Sequence, residues 1–286
     1  MNSLSKLEGY LRLTRPVNSI MMGFAVIVGA SLASQSFLSI IWPNLIYGFI
    51  TGFMLSAASM TLNDYYDRKI DAVNEPKRPI PSGVIHLKEA LYFALILTAI
   101  GFGTAILTSV FCLVIATIAL IVSVTYTIVG KRGGLPGNFL VSTCVAIPFI
   151  YGSVAAANAL RLNVLIFASM AFLSNTGREI TKGIVDIKGD KMQNVETLAV
   201  RYGEKKTAIT ATIFYLLAVM FSPIPWLLNL VSFWFVPLVA IFDVGLSAFS
   251  FMLLKDPSRE NAKRIKNIVL SWFIVGLLAF FVGAQY

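Results

Sequence analysis

Apolar residues run in long blocks along this chain, and polar residues are gathered into short stretches between them. A helix needs about 20 apolar residues to cross a bilayer. Nine blocks meet that length, near 17–34, 43–62, 88–107, 110–129, 136–157, 162–180, 207–226, 232–254 and 267–284. The pattern predicts an all-α polytopic membrane protein of nine transmembrane helices, forming one membrane-embedded domain over residues 1–286. The third and fourth blocks are nearly continuous, which predicts a tight turn near Thr108-Ser109.

Composition agrees with the blocks. Hydrophobic residues make up 57% and charged residues 13%, against about 25% charged in an average soluble domain. The start, Met1 to Pro16, is polar and basic without an apolar core, so no cleavable signal peptide is expected. The net charge of +9 reads as loop charge that sets topology, not as a nucleic-acid footprint. Of the 23 Lys and Arg, 22 fall on one side of the nine-block plan and only Arg161 on the other. The positive-inside rule then puts the N-terminus and all the long loops in the cytoplasm, and Tyr286 outside. Cys112 and Cys144 lie in apolar blocks and read as buried thiols, not as a disulfide or a metal pair.

Against this background two acidic clusters stand out, each at the cytoplasmic end of an apolar block. The first is Asn63-Asp64-Tyr65-Tyr66-Asp67-Arg68-Lys69-Ile70-Asp71. Asp64, Asp67 and Asp71 are spaced i, i+3, i+7 and form one helical stripe, which Asn63 joins at i+4 from Asp67. Carboxylates beside a membrane are costly, and three on one stripe repel each other unless a cation neutralises them. A hard cation such as Mg²⁺ takes oxygen ligands, often one or two carboxylates together with substrate phosphates. The bland alternative is a salt-bridged helix end with Arg68 and Lys69 as partners. Next comes Pro76-Lys77-Arg78-Pro79-Ile80-Pro81-Ser82-Gly83, whose three prolines forbid regular helix and predict a rigid loop. Lys77 and Arg78 there serve equally as phosphate donors or as topogenic loop charge.

In the second cluster Arg178, Lys182, Asp186 and Asp190 repeat every four residues. On its own this is a chain of i,i+4 salt bridges. Opposite the first cluster it becomes the other wall of a site that holds Mg²⁺ and a diphosphate. The clusters follow the second and sixth blocks, an offset that hints at two related halves, although no residue-level repeat supports duplication.

These residues resemble the UbiA superfamily of intramembrane prenyltransferases. That family carries N-D-x-x-D-x-x-x-D, matched by Asn63, Asp64, Asp67 and Asp71, then D-x-x-x-D, matched by Asp186 and Asp190. It also carries R-P-I/L-x-x-G, matched by Arg78 to Gly83. The resemblance spans the chain and implies a UbiA-like bundle with its active site on the cytoplasmic side. It makes all five aspartates catalytic and, with Asn63, metal-binding. Asn63, Lys77, Arg78, Lys182, Lys131, Arg15 and Tyr126 would bind substrate.

Within the family, Leu13-Thr14-Arg15-Pro16-Val17-Asn18 and the run from Asn63 to Gly83 look like the ether-lipid branch. That branch moves a geranylgeranyl group from its diphosphate to the free hydroxyl of geranylgeranylglyceryl phosphate, a lipid phosphate acceptor. The resemblance implies Mg²⁺ as cofactor, ionisation of the allylic bond to a cation and pyrophosphate, and capture of that cation by the acceptor. Two departures stand out. Tyr126 and Lys131 are one residue further apart than the family's Y-x-x-x-K, which turns Lys131 by about 100° on a helix. The extra acid often found near Lys182 is absent from Lys182-Gly183-Ile184-Val185, which predicts a less acidic second site. His86, the only histidine, reads as an interfacial residue, and Asp243, mid-block, as a neutral buried acid. Gly133 to Gly137 reads as a turn, since no Gly-Lys-Ser/Thr follows. Two other readings stay open: a prenyltransferase for an aromatic acceptor, and a cation transporter.

Overall fold

The computed structural model describes residues 3–34, 42–192 and 195–284. The described residues form eleven α-helices: α1 (Ser3–Thr14), α2 (Pro16–Ala33), α3 (Trp42–Asn74), α4 (Leu87–Thr108), α5 (Val110–Ile128), α6 (Leu135–Ala157), α7 (Leu162–Met192), α8 (Leu198–Phe221), α9 (Ile224–Leu227), α10 (Phe235–Lys255) and α11 (Arg259–Gly283). A 3-10 turn, Gly130–Gly133, joins α5 to α6.

A long helix stands at each of the nine apolar blocks, and eight of these helices are long and apolar enough to cross a membrane. α7 has the length, but Ser174, Asn175, Thr176, Arg178 and Glu179 interrupt its apolar character. The turn at Thr108-Ser109 forms where the pattern placed it. Ser109 is extended, and its hydroxyl caps α5 by accepting from Cys112 N at 3.1 Å.

The blocks underestimated two helices. α3 and α7 run 33 and 31 residues, about 50 and 46 Å at the rise of an α-helix. Each carries its aspartates on an unbroken extension of the apolar helix, so backbone geometry fixes the stripe. α2 and α6 meet backbone to backbone. A Cβ on Gly29 would strike the Phe149 carbonyl, and one on Gly152 the Val26 carbonyl. Small residues allow such close crossings between membrane helices.

α1 was not among the predicted elements. Its Leu13 is fully buried with Ile80 and Ile85 of the proline loop, whereas Leu7 and Leu11 are exposed. Lys6 Nζ lies 2.6 Å from Glu89 Oε1, and Arg12 donates to the Lys77 carbonyl at 3.2 Å. α1 thus braces the loop that carries Arg78.

Candidate active site

The chain reverses between α1 and α2 at Arg15, whose φ of 44° is left-handed. That conformation costs a non-glycine residue about 1–2 kcal/mol. It lets the guanidinium reach Asp64 on α3. Arg78 approaches from the other side. Pro79 and Pro81 hold its loop, whose turns close through Arg78 N to Glu75 O at 3.0 Å and Ser82 N to Arg78 O at 3.0 Å. Its Nη1 lies 3.1 Å from Asp64 Oδ1 and 2.6 Å from Asp71 Oδ2. Asp64 and Asp71 are 3% and 5% exposed, so each buried carboxylate has a cationic partner.

Asp67 and Asn63 face a polar cavity of about 980 Å³, its open mouth included, with Asn63 Nδ2 donating to Asp67 Oδ2 at 3.1 Å. Lys182, Asp186 and Asp190 of α7 line the same cavity, so the two acidic clusters share one space. Thr197 donates to Asp190 at 3.2 Å. Burial first, and the neighbouring Asp186 charge second, push the Asp190 carboxyl up to about 7. Asp190 lies beyond the apolar part of α7.

A larger, mainly apolar cavity of about 1970 Å³, open mouth included, adjoins the polar one. Asn63, Arg78, Tyr126, Glu179 and Lys182 line both. A charged head at the carboxylates can therefore continue into an apolar tail among α2, α3, α5, α6, α7 and α11.

Several expected residues are placed differently. Asp64 does not line the polar cavity; it anchors Arg15 and Arg78. Lys77 is exposed outside both cavities, because its loop turns inward at Arg78 instead. The side chain of Lys131 lies outside the described residues, in the 3-10 turn. Arg15 and Tyr126 line both cavities.

The second wall is also more acidic than the sequence suggested. Glu179, buried at 8% exposure, bonds Arg178 at 3.0 Å and Lys182 at 3.3 Å. It supplies an acid near Lys182 from three positions upstream, one helical turn away. Lys266 of α11 reaches both cavities as well. The i+3 offset of Glu179 from Lys182 was a readable signal for Glu179. Nothing in the 255–266 run separates Lys266 from its topogenic neighbours.

Asp243 lies off both cavities, bonded by the Ser222 hydroxyl. His86 precedes α4, its backbone N–H donating to Glu89 at 3.0 Å. Cys112 and Cys144 are free thiols, and Cys144 lines the apolar cavity.

The donor set suits a hard cation. Among the described residues, Asn63 Oδ1 is buried without a hydrogen-bond partner, next to Asp67 in the cavity that Asp186 and Asp190 of α7 also line. Among the described residues no three acidic, His or Cys groups converge into a metal cage. Arginines neutralise Asp64 and Asp71 instead.

The same architecture recurs among known proteins. Residues 22–282 match the UbiA prenyltransferase family. The digeranylgeranylglyceryl phosphate synthase of Archaeoglobus fulgidus is 36% identical over 292 residues, covering 99% of this chain and 98% of that protein. The synthase of the same name from Methanocaldococcus jannaschii is 34% identical, covering 98% of each chain. A solved structure reported for digeranylgeranylglyceryl phosphate synthase in membranes superposes with a TM-score of 0.75 at 34% identity, covering 98% of each chain. A UbiA homologue from Archaeoglobus fulgidus bound to GPP and Mg²⁺ shares the fold, with a TM-score of 0.62 at 16% identity over 93% of this chain and 99% of that one. With matches that run almost end to end and two acidic helix extensions facing one cavity, the chain belongs to the UbiA prenyltransferase family.

Proposed function

We propose that the chain transfers a geranylgeranyl group from geranylgeranyl diphosphate to the hydroxyl of geranylgeranylglyceryl phosphate. The observation that carries this is the union of a two-walled acidic cavity with an apolar cavity large enough for prenyl chains. Full-length relatives at 34–36% identity bear the name digeranylgeranylglyceryl phosphate synthase, which favours this acceptor over an aromatic one. The basic residues around the cavity suit an anionic substrate, which argues against a bare cation path.

Asn63, Asp67, Asp186 and Asp190 would hold Mg²⁺, while Asp71 stays paired with Arg78. When bound, Mg²⁺ neutralises the diphosphate and stabilises the charge that develops on it as it leaves. Arg78, Lys182 and Lys266 bind phosphate oxygens. The apolar walls orient the allylic chain and keep bulk water from the cation formed when the C–O bond breaks. The acceptor oxygen then bonds to the allylic carbon, and its proton passes to the departing diphosphate, the strongest base at hand. Arg15, entering the mouth from the α1–α2 junction, serves the acceptor's phosphate. With 22 of 23 basic residues on one side of the bundle plan, this mouth faces the cytoplasm of a cell membrane.

The test is purified protein with geranylgeranyl diphosphate, Mg²⁺ and an acceptor panel, read by mass spectrometry. Transfer to geranylgeranylglyceryl phosphate, abolished by EDTA and restored by Mg²⁺, is the expected result. Preference for 4-hydroxybenzoate at equal concentration overturns the lipid assignment, and undiminished product in EDTA overturns the metal.

A further inference from the structure

One column of the apolar cavity lies between α3, α5 and α6. It opens at Asn63 and Tyr126, beside Asp67. On α2, α3, α5 and α6 the lining residues farthest from the carboxylates are Val26, Thr51, Ala116 and Tyr151. These four meet at one place. Val26, Ala116 and Tyr151 belong to a single buried cluster, and the Tyr151 hydroxyl lies 3.3 Å from Thr51 Oγ1. Four helices therefore meet at the far end of this column, while α7 and α11 line the cavity's other side through Met170, Leu277 and Phe280.

Tyr151 supplies most of the bulk at that end, and its ring is fixed at both ends. The hydroxyl is shared between Thr51 and Thr108, each at 3.3 Å, and Thr51 is bonded in turn to Thr104 at 2.8 Å. Behind the ring is the backbone of Gly48, where an added Cβ would stand 3.4 Å from Tyr151 and 2.9 Å from Val26. The missing side chain of Gly48 leaves room against which Tyr151 and Val26 pack.

Distance relates this end to the chemistry. Thr51 lies sixteen residues before Asp67 on one helix, about 24 Å along its axis. A geranylgeranyl main chain, at about 1.2 Å per bond, spans about 18 Å, and its diphosphate occupies the remainder. The terminal isoprene then meets the Tyr151 ring.

We propose that Tyr151 is the floor of the donor groove and sets the longest prenyl diphosphate the site accepts. The proposal rests on the transfer reading above. Removing the ring joins the groove to the space beside Gly48 and admits one more isoprene unit. Filling the floor from α5 shortens the accepted chain. Each isoprene unit adds several methylenes, and an apolar pocket discriminates about 10-fold or more for each one it must accommodate or leave uncovered.

The experiment compares kcat/KM for farnesyl, geranylgeranyl and geranylfarnesyl diphosphates with a fixed acceptor. Tyr151→Ala is expected to raise the geranylfarnesyl-to-geranylgeranyl ratio at least about tenfold. Ala116→Phe is expected to move preference toward farnesyl diphosphate by a similar factor. Tyr151→Phe keeps the ring and leaves the ratio unchanged. Unchanged ratios in both Tyr151→Ala and Ala116→Phe overturn the floor, and Ala116→Phe decides alone should Tyr151→Ala not fold. A wild type that transfers none of the three chains overturns the transfer reading instead.

Discussion

Asp64 and Asp67 are three residues apart on one stripe, yet their surroundings differ. Asp64 is enclosed by Arg15 and Arg78, whereas Asp67 looks into the polar cavity beside Asn63. Three carboxylates on one stripe repel one another, but Asp64 and Asp71 have arginine partners in the structure, so removing either does more than relieve repulsion. Asp64→Ala removes the carboxylate partner of Arg15 and one of the two held by Arg78, at a cost of about 1–3 kcal/mol, so both thermal stability and turnover fall. Asp67→Ala and Asp190→Ala leave thermal stability close to wild type while turnover falls at least about a hundredfold. Melting curves and rates on the same preparations separate the two behaviours. Equal stability of Asp64→Ala and wild type would remove the anchoring role. Asp190 adds a pH dependence. Its carboxyl, raised to about 7 by burial, binds a proton in the folded state that the unfolded chain has released. In metal-free protein its contribution to stability is therefore greatest below the ordinary carboxylate range and is lost as pH rises to about 7. Mg²⁺ must displace that proton, so calorimetry should show weaker binding with proton release at pH 6 and tighter binding at pH 8. Affinity independent of pH over that range would place Asp190 outside the metal site.

Among the elements, α3 and α7 perform two tasks at once. Their more apolar lengths pack within the bundle, and their extensions carry the carboxylates on the same rigid rods. Their relative placement depends on the helices between them, above all on the α2–α6 crossing. There Gly29 and Gly152 let backbones touch. Gly152→Leu should push α2 and α6 apart, lowering thermal stability and widening the apolar cavity that both helices line. Its rate should fall even though no reacting group has changed. Wild-type stability and rate in Gly152→Leu would mean that the crossing is looser than the backbone contact implies. α1 escaped the hydrophobic pattern because it is short and mostly polar. Leu13 is the one large apolar side chain buried among its described residues, and its role depends on Lys6 and Arg12 reaching residues more than sixty positions away.

At the scale of the whole molecule, both acidic clusters must open to one aqueous side. Single-cysteine variants at Lys77 and Lys191 should both react with a membrane-impermeant thiol reagent from the cytoplasmic face, and a variant at Arg161 from the other. Opposite accessibility of Lys77 and Lys191 would contradict the shared cavity. Much of this was legible in the chain, since a bilayer requires long apolar blocks and the aspartate stripes are local helical geometry. The sequence by itself determined an all-α membrane bundle, the positions of its long helices and the two aspartate stripes on α3 and α7. Only the tertiary structure decided that Asp64 anchors arginines, that Glu179 and Lys266 join the cavity, that Lys77 does not, and that Tyr151 lines the apolar cavity far from the carboxylates. The reason is physical: periodicity fixes which residues share a face of one helix. What that face meets depends on packing between helices distant in sequence, and on backbone reversals such as the left-handed turn at Arg15.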